Sequence, residues 1–187
     1  MKILQTAERV SDTDQSDKYV FQRSLLAYVK SAEIVKGDVL EIGTGNGYGI
    51  EIIAPQTKSL LSVDKFQIDN ETSAIIQNLG NVEFKKMKAP PLKEIPDKSM
   101  DYVVSFQVIE HIKNDDFFVS EVYRVLKNGG KFIVTTPNKK MSLTRSPWHI
   151  REYTVNELED LLLKSFQSVN KQGVFGNKKI MEYYEKN

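Results

Sequence analysis

The sequence contains no cysteine, and this absence removes several kinds of chemistry from consideration. It excludes a disulfide framework, a thiolate metal ligand and a cysteine nucleophile. No apolar run approaches the roughly 20 residues that a membrane-spanning helix requires. The segment 1–17 is polar and lacks the apolar core of a signal peptide. We therefore expect a cytoplasmic protein with no membrane partner.

An excess of charge of either sign is also missing. Lys and Arg number 26 against 25 Asp and Glu, which gives a formal net charge of +1. This balance offers no electrostatic attraction to nucleic acid, so we expect no such partner. At 187 residues and 40% hydrophobic content, the chain fits a single globular domain. Within it we expect residues 1–17 to be flexible and residues 18–36 to contain an N-terminal helix.

The most informative stretch is VLEIGTGNGYG at residues 39–49. An apolar run ends in a carboxylate and then breaks into alternate glycines, which predicts a buried strand, a tight loop and a helix start. Glycines let backbone N–H groups approach a ligand closely. The dinucleotide motif is G-x-G-x-x-G, and Tyr48 occupies the position of its third glycine. An ordinary glycine-rich turn is the alternative interpretation.

This G-x-G-x-G pattern, with Glu41 two residues before its first glycine, resembles the motif of the class I S-adenosylmethionine-dependent methyltransferases, and in particular the small-molecule branch of ubiquinone and menaquinone type. The resemblance implies that Gly43, Thr44, Gly45 and Gly47 bind S-adenosyl-L-methionine. It also implies that Glu41 binds the ammonium group of this cofactor, directly or through water.

Asp64 ends the second predicted strand, 21 residues after Gly43. A carboxylate in this place can accept both ribose hydroxyls of a nucleoside cofactor, although it can also simply cap a turn. The resemblance places Lys65 beside the adenine. Many family members then carry an acid before Ala89, whereas this chain has Lys88, so we expect backbone groups of these two residues to read the adenine edge.

Two more segments match the family. PDKSMD at residues 96–101 differs from the usual P-D-x-S-F-D only at Met100, and LKNGG at residues 126–130 precedes the fifth predicted strand. The resemblance thus covers about residues 35–175.

Gln107 and the pair Glu110-His111 follow the fourth predicted strand, where ligands of open α/β sheets bind. We expect Gln107 to line the pocket near the methyl group. His111 has a reference pKa near neutrality and is a candidate general base, which the reaction needs only if the acceptor must lose a proton. The alternative is a histidine whose hydrogen bonds are satisfied by local backbone.

The long connection 136–153 contains the second histidine, His149, in an H-x-R-E-Y-T stretch that looks like one bacterial branch of these enzymes. Long loops in compact domains are often functional, so His149 is the other candidate base. A surface loop anchored by Trp148 and Tyr153 is the alternative.

Helical and strand patterns alternate along the chain, which predicts an α/β fold. We expect a Rossmann-like three-layer αβα sandwich with a mostly parallel sheet of six or seven strands. Residues 166–175 predict strand six. Residues 177–187 predict a charged helix where the family has an antiparallel strand seven, so either that strand is replaced or the chain is a shortened form of a longer protein.

The predicted function is methyl transfer from S-adenosyl-L-methionine to a small-molecule acceptor by in-line displacement. We expect no metal site, and neither the acceptor nor the oligomeric state can be read from the sequence. A non-catalytic S-adenosylmethionine-binding module or partner subunit is the alternative. An NAD-dependent oxidoreductase is disfavoured because Tyr48 replaces the third glycine of the dinucleotide motif.

Overall fold

A computed structural model of the chain describes residues 18–142, 146–176, 178–179 and 181–182. Its strands form one sheet in the order β3-β2-β1-β4-β5, and every neighbouring pair is parallel. The strands are β1 Asp38–Ile42, β2 Ser59–Asp64, β3 Val82–Lys86, β4 Met100–Phe106 and β5 Leu126–Thr135. The α/β class and the parallel Rossmann-like sheet are confirmed.

The helices connect these strands and cover both faces of the sheet. They are α1 Lys18–Ala32, α2 Ile50–Ile53, α3 Asn70–Leu79, α4 Asp115–Val125 and α5 Val155–Leu163, with 3-10 turns at Ala54–Gln56, Ile109–His111 and Lys139–Met141. Local signals in the sequence set several of the ends. Helix α3 ends at Gly80, whose φ of 69° is left-handed, and α5 begins with the predicted capping box of Thr154 and Glu157.

Some predicted helix boundaries differ from the observed ones. The sequence favours Asp115 as the cap of α4, whereas the side chain of Asn114 accepts the hydrogen bond from Phe117 N. The sequence predicts α2 over about residues 48–54, whereas the observed helix begins at Ile50 and gives way to the 3-10 turn that begins at Ala54. The helical pattern of α1 places Val29 on the buried face, but this side chain is 42% exposed.

The prediction of six or seven strands was wrong for the described residues, which form five. Residues 166–176 contain no strand. A strand needs a neighbour to supply its backbone hydrogen bonds, and no described segment pairs with this one. Instead, the Phe166 ring stacks on Phe132 of β5 with centroids 6.0 Å apart, while Val174 and Phe175 are exposed.

The predictions for the two ends of the chain fall partly outside the described residues. Residues 1–17 lie wholly outside them. Within 177–187, the predicted C-terminal helix is helical at Lys178, Lys179, Met181 and Glu182. Across the described ranges, no helix combines the length and apolar character needed to cross a bilayer.

Two hydrophobic clusters, one on each face of the sheet, form the core. Tyr28 of α1 and Ile50 of α2 pack with Val39 of β1 on one face. Phe118 of α4 packs with Leu40 of β1 on the other. Adjacent residues of β1 thus enter opposite clusters, as expected for a strand covered on both sides, and the three-layer arrangement is confirmed.

The two outlying family motifs meet at the amino-terminal edge of the sheet. Lys127 Nζ, from the LKNGG turn, lies 2.8 Å from Oδ2 of Asp101, from the PDKSMD segment, and 2.9 Å from Oδ2 of Asp38. Asp101 Oδ2 also accepts a hydrogen bond from Asp38 N. These two motifs therefore brace the starts of β1, β4 and β5 rather than forming part of the ligand site.

We expect Lys127→Met to raise the pKa of both bridged aspartates. The hydrogen bond from Lys127 is the main reason that the pKa of Asp38 is lowered to about 2, with the Ser59 hydroxyl second. The same lysine is the main reason that the pKa of Asp101 is lowered. Stability linked to a lowered carboxyl pKa is present above the unfolded value and is lost as the pH falls through the folded value.

Carboxyl NMR titration of Asp38 and Asp101 measures the effect directly. Because the pKa values of Asp38 and Asp101 are less lowered in Lys127→Met, this variant should lose less stability than the parent between about pH 4 and pH 2. Lys58→Met is the matched control, because the exposed Lys58 Nζ lies 3.4 Å from Asp38 Oδ1 and contributes least to the lowered pKa. Equal shifts in the two variants would mean that Lys127 has no special role in the brace.

Candidate functional site

The carboxyl ends of the parallel strands bring the predicted site residues to one edge of the sheet. The glycine loop follows β1, and its Gly43 N donates a 2.8 Å hydrogen bond to Val63 O of β2. Asp64 ends β2, and Gln107 directly follows β4. The order β2-β1-β4 makes these three ends neighbours, which is where open α/β sheets bind their ligands.

Glycine is needed in the loop for two different reasons. Gly43 has a φ of +97°, and a Cβ there would lie 2.4 Å from Cγ2 of Val108, so the loop packs directly against the segment after β4. Gly45 has a φ of +58°, and a Cβ there would meet no atom within 4 Å. The loop is thus closed against protein at Gly43 and open at Gly45, where a ligand can approach the backbone.

The Asp64 carboxylate lies beside the open part of the loop. Its Oδ2 accepts a 3.0 Å hydrogen bond from Gly45 N, and its Oδ1 accepts a 2.8 Å bond from Phe66 N. Both oxygens are therefore held in place at the edge of the sheet. This is the position from which a carboxylate can bind the hydroxyls of a ribose.

Glu41 lies below the loop and is 2% exposed. One carboxylate oxygen accepts a 2.7 Å hydrogen bond from the Tyr28 hydroxyl, and the other accepts one from the Ser62 hydroxyl. The Thr44 hydroxyl lies 2.7 Å from that of Ser62 and extends the network to the loop. Burial raises the pKa of Glu41, partly opposed by these two hydroxyl donors. The predicted contact between Glu41 and the ammonium group stays a prediction, while the observed contacts are structural.

The residues predicted beside the adenine lie around Asp64. Met87 N donates a 2.8 Å hydrogen bond to Asp64 O, which brings the segment after β3 next to the end of β2. Lys88 is exposed and Ala89 half-buried. Lys65 Nζ lies 4.9 Å from the centroid of the exposed Phe66 ring. These side chains border a common region, and their contact with a nucleobase stays a prediction.

Gln107 turns the chain sharply at the end of β4. Its φ of 57° is unusual for a residue with a side chain. Its N donates to Thr135 O at 2.9 Å, and its Nε2 donates to Thr135 Oγ1 at 3.1 Å. The backbone and the side chain of Gln107 are therefore both hydrogen-bonded to the end of β5. The turn directs the following 3-10 turn, Ile109–His111, across the edge of the sheet.

The two histidines, far apart in sequence, lie together at this edge. Their ring centroids are 5.0 Å apart. Nδ1 of His111 donates to Trp148 O at 3.0 Å, and Nδ1 of His149 donates to Glu152 Oε1 at 2.7 Å. One hydrogen-bond partner of His111 thus comes from the long loop, far from His111 in the sequence.

Glu110 attaches this loop to the end of β4. Its carbonyl oxygen accepts hydrogen bonds from Ile150 N at 2.8 Å and Arg151 N at 3.2 Å. Its side chain is fully buried, with Oε2 accepting from Thr136 Oγ1 at 3.0 Å and Oε1 lacking a hydrogen-bond partner among the described residues. Burial raises the pKa of Glu110 to about 7. The positive charge of Arg23 is one of the interactions that oppose this rise.

The sequence pattern drew attention to Glu110 but predicted no function for it. The signal that was available is a carboxylate directly before a histidine at the end of a central strand. The role of this carboxylate depends on His149, which lies 39 residues further along the chain and reaches the same point only through the fold.

The long loop shows features of both interpretations that the sequence left open. Tyr153 is a buried anchor whose hydroxyl donates to Asp115 Oδ2 at 2.9 Å. Trp148 is 51% exposed and does not anchor the loop through its ring. The loop is therefore fixed at Tyr153 and, through Ile150 and Arg151, to Glu110, and His149 directly precedes these fixed points.

Fold and site together define a Rossmann-like domain whose glycine loop and Asp64 carboxylate meet at the ends of β1 and β2. The chain from residue 40 to residue 134 matches the family model of the methyltransferase domain. It is 36% identical over 178 residues to a probable S-adenosylmethionine-dependent methyltransferase of Mycolicibacterium smegmatis, covering 91% of this chain and 68% of that protein. The chain belongs to this family of S-adenosylmethionine-dependent methyltransferases.

Other relatives extend the comparison. A probable S-adenosylmethionine-dependent methyltransferase of Mycobacterium tuberculosis is 34% identical, with 91% of this chain and 64% of that protein covered. A ubiquinone biosynthesis O-methyltransferase of Rickettsia akari is 25% identical, with 65% and 48% covered. The chain thus spans about two thirds of the length of its mycobacterial relatives and about half that of the rickettsial one.

Solved structures show the same fold. The YcgJ protein of Bacillus subtilis superimposes with a TM-score of 0.67 at 24% identity, over 88% of this chain and 78% of that one. A Burkholderia thailandensis 1,6-didemethyltoxoflavin-N1-methyltransferase, with bound 1,6-didemethyltoxoflavin and S-adenosylhomocysteine, gives a TM-score of 0.63 at 18% identity, over 80% of this chain and 71% of that one.

Proposed function

We propose that this chain transfers a methyl group from S-adenosyl-L-methionine to a small-molecule acceptor. The observation that carries the proposal is the arrangement at the edge of the sheet, where the open backbone at Gly45 and the Asp64 carboxylate border the turn that carries Glu110 and His111. One part of the edge suits a nucleoside, and the adjoining part presents polar groups to a second molecule. The proposal also includes the predicted cytoplasmic location of the protein and the expectation that it has no nucleic-acid partner.

The proposal assigns each part of the cofactor to a region at the edge of the sheet. The open backbone at Gly45 suits the close approach of the amino-acid part, and Gly43, Thr44 and Gly47 hold the loop in shape around it. Asp64 would accept the ribose hydroxyls. The adenine would lie among Lys65, Lys88 and Ala89, which border the end of β2. When bound, the sulfonium supplies an activated methyl group.

The protein's main task is then to hold the acceptor in line with that methyl group. Positioning of this kind supplies up to roughly 7–11 kcal/mol of the barrier in ideal cases. Gln107, fixed by two hydrogen bonds to Thr135, would form the boundary between the cofactor and the acceptor. His111 and His149 stay our candidates for catalytic residues, because both lie beside this boundary on the turn and loop that follow β4 and β5.

Mass spectrometry of a reaction mixture tests the proposal. The purified chain is incubated with S-adenosyl-L-methionine and a panel of hydroxylated and amino acceptors, and both products are measured. We expect S-adenosylhomocysteine and a singly methylated acceptor in equal amounts, and far less of both products from Asp64→Ala at micromolar S-adenosyl-L-methionine. The non-catalytic binding module predicts a different outcome, namely cofactor binding with no S-adenosylhomocysteine above the acceptor-free control.

A further inference from the structure

Three side chains at the acceptor end of the site form a group with the composition of a metal centre. Glu110, His111 and His149 each present a potential ligand atom, and these atoms lie within 4.8 Å of one another. Zinc binds imidazole nitrogen at roughly 2.0–2.1 Å and carboxylate oxygen at roughly 2.0–2.2 Å. Coordination of one ion would therefore require the three ligand atoms to move closer to it.

The buried carboxylate supplies an independent indication of a missing ligand. Glu110 is fully buried, and its Oε1 has no hydrogen-bond partner among the described residues, although Oε2 accepts from Thr136. Such a group is costly unless a cation or a donor satisfies it. The only described groups clustered with this carboxylate as potential ligands are the two imidazole rings.

The outer partners of the histidines match those of metal ligands. Nδ1–H of His149 donates to the Glu152 carboxylate at 2.7 Å, and Nδ1–H of His111 donates to the Trp148 carbonyl at 3.0 Å. Metal-bound histidines almost always donate their second ring nitrogen to a carboxylate or a backbone carbonyl, which fixes the tautomer and the ring orientation. With Nδ1 donating these hydrogen bonds, Nε2 is the ring nitrogen through which each histidine would coordinate an ion.

We propose that Glu110, His111 and His149 bind a divalent transition-metal cation, with Glu152 as the positioning residue of His149. Two imidazoles and one carboxylate suit zinc, iron or cobalt, whereas magnesium and calcium favour all-oxygen sites. This proposal differs from our expectation from the sequence of no metal site. Three protein ligands leave at least one coordination position open, as in catalytic rather than structural zinc sites.

The proposed metal site also limits the chemical class of the methyl acceptor. This inference rests on the proposed function. The turn that carries Glu110 and His111 follows Val108, which packs against Gly43 of the cofactor loop, so the cation would lie at the boundary between cofactor and acceptor. An open coordination position there would bind an oxygen of the acceptor and orient it. We therefore infer that the acceptor class carries a hydroxyl or enol group.

Metal binding is tested without any turnover. The tag-free, chelator-treated chain is titrated with Zn²⁺ by calorimetry and with Co²⁺ by visible absorption. Because both histidines of the sequence belong to the cluster, a histidine tag would obscure the result. We expect one ion per chain and d–d bands of a nitrogen-coordinated, low-symmetry cobalt site. No binding, or more than one weak equivalent, would overturn the proposal.

Variants locate the ion. Glu110→Gln and His149→Ala should each weaken Co²⁺ binding by at least about 100-fold, and Glu152→Gln by about 10- to 100-fold with the cobalt bands retained at saturation. Asp116→Asn, an exposed acid paired with Lys164 on α4, is the control with unchanged binding. If Glu110→Gln does not fold, His111→Asn replaces it. Equal affinity in all variants would place the ion elsewhere and contradict the assignment.

Failure of the metal site and failure of the proposed function give different results. If S-adenosylhomocysteine forms at the same rate in chelated and zinc-loaded protein, and no ion binds, the metal proposal is wrong while methyl transfer stands. If the ion binds at Glu110 but no acceptor is methylated, the metal site stands and the proposed activity is wrong. If only hydroxylated acceptors turn over, and only with the ion bound, both are supported.

Discussion

Replacing Asp64 by Ala is expected to weaken the binding of S-adenosyl-L-methionine by about 100-fold or more. Each hydrogen bond to a charged group contributes about 1.5–3 kcal/mol, and this carboxylate would accept two from the ribose. The substitution also removes the acceptor of Gly45 N at 3.0 Å and of Phe66 N at 2.8 Å. The loss of ligand contacts and the loss of loop geometry therefore both weaken the binding of the cofactor.

Isothermal calorimetry with S-adenosylmethionine and S-adenosylhomocysteine measures this effect. The parent should bind in the micromolar range, or about −8 kcal/mol. Asp64→Asn is the matched variant, because its amide oxygen can still accept from Gly45 N but carries no charge, so we expect an intermediate affinity. The melting temperature of both ligand-free variants separates a loss of binding from a loss of folding. Unchanged affinity in Asp64→Ala would mean that the ribose binds elsewhere.

Glu41→Ala is expected to lower the free energy of unfolding by about 3 kcal/mol. The carboxylate is buried and accepts hydrogen bonds from the hydroxyls of Tyr28 and Ser62. Its removal takes the acceptor from the Tyr28 hydroxyl and leaves the Ser62 hydroxyl with Thr44 as its partner. Each unsatisfied buried group costs about 1–3 kcal/mol, and the cavity adds to this cost. Denaturant unfolding followed by far-UV circular dichroism gives the difference.

Two further variants divide the contributions within this network. Tyr28→Phe removes one donor only and should cost less than Glu41→Ala. Glu41→Gln keeps the shape and should remove a pH dependence. Since burial raises the pKa of Glu41, the folded state holds this proton more tightly than the unfolded state, and stability should fall as the pH rises above about 4.5. A parent whose stability keeps the same pH slope as Glu41→Gln would contradict this assignment.

Features set by short-range interactions were predictable from the sequence. The bounds of β1 and β3, the left-handed Gly80 and the capping box at Thr154 depend on residues within a few positions of one another. The meeting of the carboxyl ends of β1, β2 and β4 could also be predicted, because parallel strands place these ends at one edge of the sheet. Local pattern and topology were sufficient for that half of the site.

Features that depend on distant partners were not predictable. Residues 166–175 have the apolar pattern of a strand, but a strand also requires a neighbour with unpaired backbone groups, and sequence does not show whether one is present. Glu41 carries the motif expected of a cofactor contact, yet its oxygens are occupied by Tyr28 and Ser62, which lie 13 and 21 positions away. The cluster of Glu110 with His149 arises from the path of a long loop across the sheet.

The position of β5 at the end of the sheet has a consequence for the behaviour of concentrated samples. Among the described residues no strand pairs with its outer edge, so its backbone groups there form a template for association with other chains. The first half is protected by the irregular pairing between Met100 and Tyr102 and by the charges of Lys127 and Lys131. The segment Phe132–Thr135 lacks such protection, so self-association and aggregation should begin there.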